Sequence, residues 1–166
     1  MESSSAASSF RCTLLGIGIL LQMTAYRKVR TLKSQDAAYI AGLVDGEGTV
    51  TLSQEHRTER RRLVVTVSNT ERPLLDYLRD AVGAGQITHK RTYNPKHTPS
   101  FAYKITNRQA VDLLRQIAPY LRSYKAGRVA LALEHYIPLT PRNGRYTPEL
   151  LRARDAFERE FFDLQP

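Results

Sequence analysis

Two carboxylates, Asp45 and Glu47, stand between glycines at the end of the run AYIAGLVDGEG, residues 38 to 48. Gly46 and Gly48 are expected to break a helix there, so that both acids project from a turn leading into the strand-like stretch from Thr49 to Gln54. Acids at a helix C-terminus face the negative end of its dipole and are unfavourable unless a cation or a donor compensates. A divalent metal is one such compensation, and metal held by carboxylate is suited to hydrolytic chemistry.

The element that must position these acids carries a second pattern. Ala38, Gly42 and Gly46 recur every four residues, forming on a helix a ridge without side-chain bulk against which another helix can pack closely. The same spacing also serves tight packing with no chemistry attached. Ser34 is placed to cap this helix, with Asp36 in its first turn where negative charge is favourable.

Past Gly48, Thr49–Ser53 and Leu63–Ser68 alternate apolar and polar residues and predict a hairpin with Val50, Leu52, Leu63, Val65 and Val67 facing inward. A helix is expected from Arg72 or Pro73, with Leu74, Leu75, Leu78 and Val82 at helical spacing and Gly83–Gly85 ending it. Residues 86–91 and 100–106 predict a second strand pair, followed by helices over 108–120, 125–136 and 148–162. Four antiparallel strands covered by helices on one side leave a polar face carrying Thr51, Ser53, Arg62, Thr66, Ser68, Thr88, Lys90, Ser100 and Lys104. Such donors and acceptors suit phosphates and base edges, although a polar outer face is also the ordinary state of a half-buried sheet. The basic turn HRTERRR, residues 56–62, and the 91–99 loop, which carries Tyr93 and His97, lie at the strand tips where phosphates could be reached.

With 166 residues the chain fits one compact domain with tails: an N-terminal extension over 1–33, a domain over 34–138 and a helical tail over 139–166. Its 25 Lys and Arg against 16 acids, a formal charge of +9, favour a polyanionic partner. A single cysteine, Cys12, excludes an internal disulfide and a cysteine-based zinc site, and the four histidines show no ligand spacing. The apolar run Cys12–Met23 behind Arg11 is shorter than the roughly 20 residues of an ordinary membrane span, so no stable membrane association is expected. The extension reads either as disordered or as a targeting segment, which leaves an organelle or a prokaryotic cytoplasm open as the location.

Residues Ile40 to Gly48, IAGLVDGEG, resemble position by position the motif that names the LAGLIDADG homing endonucleases. The resemblance covers about residues 35–134 and implies an α+β fold, an αββαββα half-domain with a four-stranded antiparallel DNA-binding sheet and appended C-terminal helices. It implies that Glu47, with the Gly46 carbonyl, holds Mg²⁺ or Mn²⁺ at a DNA-cleaving centre, and that Asp45 is a structural acid tying the helix end. It further implies catalytic support from Asn69, Arg72 and Lys125, with Ala38, Gly42, Asp45 and Gly46 in a dimer interface. Asn69 also fits a helix cap, Arg72 a solvated first-turn residue, and a strict count would choose Tyr124 over Lys125. With one copy of the motif, the resemblance implies an intron-encoded homodimer that breaks both strands of a long, near-palindromic DNA site. An intron RNA maturase or a cleavage-inactive DNA-binding regulator are the alternatives.

Overall fold

The computed structural model describes residues 27–56, 59–90 and 98–165. The 12–23 apolar run, Tyr93 and His97 therefore lie outside the described residues. The elements run α1 (Ser34–Glu47), β1 (Gly48–Ser53), β2 (Arg62–Asn69), α2 (Arg72–Val82), β3 (Gln86–His89), β4 (Phe101–Thr106), α3 (Asn107–Ile117), a 3-10 turn (Ala118–Tyr120), α4 (Lys125–His135) and α5 (Pro148–Asp163). The strands form one antiparallel sheet in the order β1-β2-β4-β3.

Strand alternation decides which face is buried. Val50, Leu52, Leu63, Val65, Val67, Tyr103 and Ile105 point into the core, where they meet Ala37, Ile40, Ala41 and Val44 of α1, Leu75 and Leu78 of α2, and Leu113, Leu114 and Ile117 of α3. Val64 breaks the expected alternation: it lies on the other face, between Thr51 and Thr106 in the ladder, yet is buried.

Several boundaries differ from the sequence reading for identifiable reasons. Lys33, in extended conformation, precedes the first helical residue, so Ser34 begins α1 and does not cap it. Gly46 does not break α1; the helix continues to Glu47 and ends at Gly48, whose N–H reaches the Val44 carbonyl. β3 stops at His89 and β4 starts at Phe101, which leaves Lys90 and Ser100 beyond the strands, joined by Lys90 N–H to Ser100 carbonyl at 2.8 Å.

The described residues on both flanks pack against the domain. Residues 27–33 form a strap on α2 and α3: Gln109 donates to the Arg27 carbonyl, Gln116 bonds both the Arg30 carbonyl and the Leu32 N–H, and Val29 and Leu32 pack on the core. At the other end, α5 buries Phe157 and Phe161 in the same core. Arg154, also on that face, is fully buried and donates to Glu158, to the Thr140 hydroxyl and to the Arg61 carbonyl, with its guanidinium over the Tyr136 and Phe157 rings. No helix of the described residues is long and apolar enough to cross a membrane.

Gly48 is where the chain passes from helix to strand without a loop. A Cβ there would lie 2.7 Å from the Val44 Cα and 3.1 Å from the Thr66 carbonyl oxygen, both backbone atoms that cannot turn aside. Gly48→Ala should therefore cost about 1–3 kcal/mol in a urea unfolding series. Wild-type stability in that variant would contradict the close approach.

Candidate active site

The end of α1 is held by opposite charges on neighbouring segments. After α3, the 3-10 turn and residues 121–124 bring the chain beneath this helix end, and Lys125 opens α4 there. Its side chain is 7% exposed, and Nζ donates to the Val44 carbonyl at 2.9 Å and the Asp45 carbonyl at 2.8 Å. A buried ammonium thus satisfies last-turn carbonyls and sits at the negative pole of the helix dipole.

Asp45 completes the lock from the other side. Its carboxylate accepts from the Ser123 hydroxyl at 2.6 Å, from Arg122 N–H at 2.7 Å and from Ser123 N–H at 3.4 Å. Burial opposes its ionisation, but these bonds, together with the Lys125 charge, outweigh it and hold the carboxyl below its ordinary pKa. Arg122 and Ser123 were not legible as partners because their contribution is largely backbone N–H, which no side-chain motif signals.

Glu47 is the contrasting acid. It is the last helical residue, exposed, and has no hydrogen-bond or ion-pair partner among the described residues. Lys125 takes the carbonyls of Val44 and Asp45 and not that of Gly46, the next along. The donor set of one free carboxylate beside a helix-end carbonyl suits a hard divalent cation, but only in part. No cluster of three His, Cys, Asp or Glu able to hold a metal exists among the described residues. Further ligands would have to come from outside the described residues.

Asn69 and Arg72 lie at the same end of the sheet as Glu47. Gly48 pairs with Val67, so Glu47 is level with Ser68 and one step from Asn69. Asn69 Oδ1 accepts from Glu71 N–H at 2.8 Å, the turn that starts α2, which leaves its amide NH₂ outward. Arg72 extends over the ring of Phe101, the ladder partner of Asn69, with its guanidinium 5.4 Å from the ring centroid, and pairs with Asp76. Tyr124, the residue a strict count would choose, has its ring under the guanidinium of Arg128, a buried cation that donates to the Val50 and Leu164 carbonyls.

The ladder puts the expected polar residues on one face. Thr51, Ser53, Arg62, Thr66, Ser68, Thr88 and Lys104 share parity, and Thr49 and Gln86, missed in the sequence reading, join them opposite Thr66 and Lys104. Two of its cations are already occupied: Lys104 bonds Glu55 at 3.0 Å, and Arg62 bridges Glu55 and Glu59. On α1, Ala38, Gly42 and Gly46 form an exposed strip, and a Cβ added at Gly42 or Gly46 meets nothing within 4 Å.

The model of the LAGLIDADG-like domain family matches residues 34–118, the span from α1 to the end of α3. The chain belongs to the LAGLIDADG family. Solved structures share the fold of this LAGLIDADG chain. The homing endonuclease I-CvuI in complex with its target superposes with a TM-score of 0.66 at 20% identity, covering 80% of this chain and 83% of that one. The archaeal intron-encoded homing endonuclease I-Vdi141I complexed with DNA gives 0.63 at 18%, covering 80% and 85%. I-SmaMI bound to cleaved DNA gives 0.56 at 20%, covering 74% of this chain but 42% of that one. No curated protein matches by sequence. In this LAGLIDADG chain, then, the motif's first acid is the one locked into the fold and its second acid is the one left open.

The lock predicts a pH signature. Because the folded pKa of Asp45 is depressed, its contribution to stability is complete above the unfolded value of about 3.9 and is lost as pH falls through the folded value. Asp45→Asn should lower unfolding stability by about 1–2 kcal/mol at pH 7, a deficit that shrinks below about pH 4. A deficit independent of pH would show that the charge is not what holds the turn.

Proposed function

We propose that this chain is a divalent-metal-dependent homing endonuclease that acts as a homodimer and makes double-strand breaks in a long, near-palindromic DNA site. The observation that carries this reading is Glu47, an exposed carboxylate without a partner among the described residues, held at a helix end beside an open strip of small residues. The strip lets a second α1 approach closely, and a twofold pairing would bring two Glu47 side chains toward one axis. The coverage supports pairing: the chain spans most of I-CvuI but less than half of I-SmaMI, as half of a two-part enzyme would.

In this reading Glu47 and the Gly46 carbonyl would hold Mg²⁺ or Mn²⁺. The ion would supply charge stabilisation at the scissile phosphate. The chain's own residues do the rest. The outward NH₂ of Asn69 can orient a water or a phosphate oxygen, Arg72 supplies positive charge near the leaving strand, and Lys125 positions Glu47 by fixing the helix that carries it. The polar face, with Thr51, Thr66, Ser68, Lys104 and their neighbours, lies against the duplex, where phosphates replace the carboxylates that now hold Lys104 and Arg62. The single motif copy with an intact second acid favours cleavage over a binding-only regulator.

Two variants test this. With a site selected from a randomised library, Glu47→Gln should lower cleavage in Mg²⁺ by about 10²-fold or more while keeping DNA affinity in Ca²⁺; cleavage at the wild-type rate would remove Glu47 from the chemistry. Gly42→Leu should leave the secondary structure seen by circular dichroism unchanged, since a Cβ there meets nothing within 4 Å of the protomer, yet shift sedimentation from dimer to monomer. A wild-type protein that stays monomeric on DNA would end the half-site argument.

A further inference from the structure

At the opposite end of the sheet from Glu47 lies a cavity of about 640 Å³ walled by Arg60, Arg61, Arg62, Arg108, Arg142 and Tyr146, with no carboxylate in its lining. It is ordered from behind. Arg60 pairs with Asp155, Arg61 with Glu158, and Arg62 with Glu55 and Glu59, all acids outside the lining. The fully buried Arg154 ties two of the walls together through the Arg61 carbonyl and the Thr140 hydroxyl. Two guanidiniums are left without an acid: Arg108 donates only to the Thr140 carbonyl, and Arg142 has no hydrogen-bond or ion-pair partner among the described residues. Five arginines lining a space without carboxylates, two of them with no acid partner, suit a tetrahedral oxyanion, and above all a phosphate.

The position of the cavity says which phosphate. Arg62 belongs both to its wall and to the polar sheet face, where it sits opposite Ser53. From Asn69 back to Arg62 is seven residues of strand, roughly 23 Å at 3.3 Å per residue. That distance corresponds to about seven base-pair steps of 3.4 Å. We propose that this arginine cavity is a separate phosphate-binding site that grips the DNA backbone about seven base pairs outward from the cleavage centre, beyond the strands that read the site. This rests on the DNA-binding reading above.

The test compares wild type, Arg142→Gln, the double variant Arg108→Gln with Arg142→Gln, and Lys104→Gln as a sheet-face reference. Each is titrated with a fluorescent 30-base-pair duplex in Ca²⁺ over a range of salt, and separately with inorganic phosphate followed by thermal shift. Arg142 is exposed and unpartnered, so its variant should fold as wild type. The double variant should bind the duplex about fivefold to tenfold more weakly and flatten the slope of log K against log salt by about 0.9 for each phosphate that the protein no longer neutralises. Arg142→Gln alone should show a smaller change in the same direction. Wild-type affinity and slope in both cavity variants, with Lys104→Gln weakened, would overturn the cavity and leave the DNA reading standing. Loss of a phosphate-induced thermal shift without any change in duplex binding would also overturn it, because the cavity would then serve free phosphate. A wild-type protein without salt-dependent duplex binding would overturn both readings together.

Discussion

A buried ammonium on the final turn of α1 is the contact on which the rest depends. Lys125 neutralises the pole of the helix from which Glu47 leaves, while Asp45 reaches back to the turn that delivers Lys125. Each charge is compensated by the segment the other belongs to, so α1 and α4 cannot move apart without exposing both. The result is a helix end that stays helical through Gly46, against that residue's low propensity, and presents one acid at a fixed place. Two acids two residues apart thereby acquire different surroundings: the fold consumes the first and leaves the second exposed, without a partner among the described residues.

The sheet shows the same economy at lower energy. Its outer cations are paired with acids of the first hairpin, but these are exposed pairs that solvent screens and that contribute little to stability. They hold Lys104 and Arg62 in place at little cost, and in the proposed DNA complex phosphates would take the place of these acids. The buried arginines behave differently. Arg128 and Arg154 satisfy backbone carbonyls inside the domain and tie α4, α5 and the 140s segment to the sheet, so part of the chain's excess positive charge is structural and never meets a partner.

The period-2 alternation of Val50 and Leu52 with Thr49 and Thr51 made the hairpin and its inner face legible, and the motif marked the α1 segment, although the glycine expected to break the helix, Gly46, lies within it and α1 runs on to Glu47. What stayed hidden was decided by tertiary contacts. Nothing local marks Ser123 as the partner of Asp45, nor Val64 as a buried residue on the polar face. Arg154 reads as a solvated cation until its spacing of three and seven from Phe157 and Phe161 is set on the buried face of α5. The strap over 27–33 has too little apolar sequence to announce itself, and is held by two glutamines bonding to its backbone.

Cleavage in the proposed enzyme needs two chains sharing one centre, each contributing its own Glu47. The direct measurement is cleavage by mixed dimers in which wild-type and Glu47→Gln protomers carry different affinity tags and are purified through both. On a supercoiled plasmid bearing a selected site, these mixed dimers should bind as tightly as wild type but produce no linear product at an appreciable rate. Linearisation at the wild-type rate by a dimer with one intact Glu47 would contradict a centre built from both.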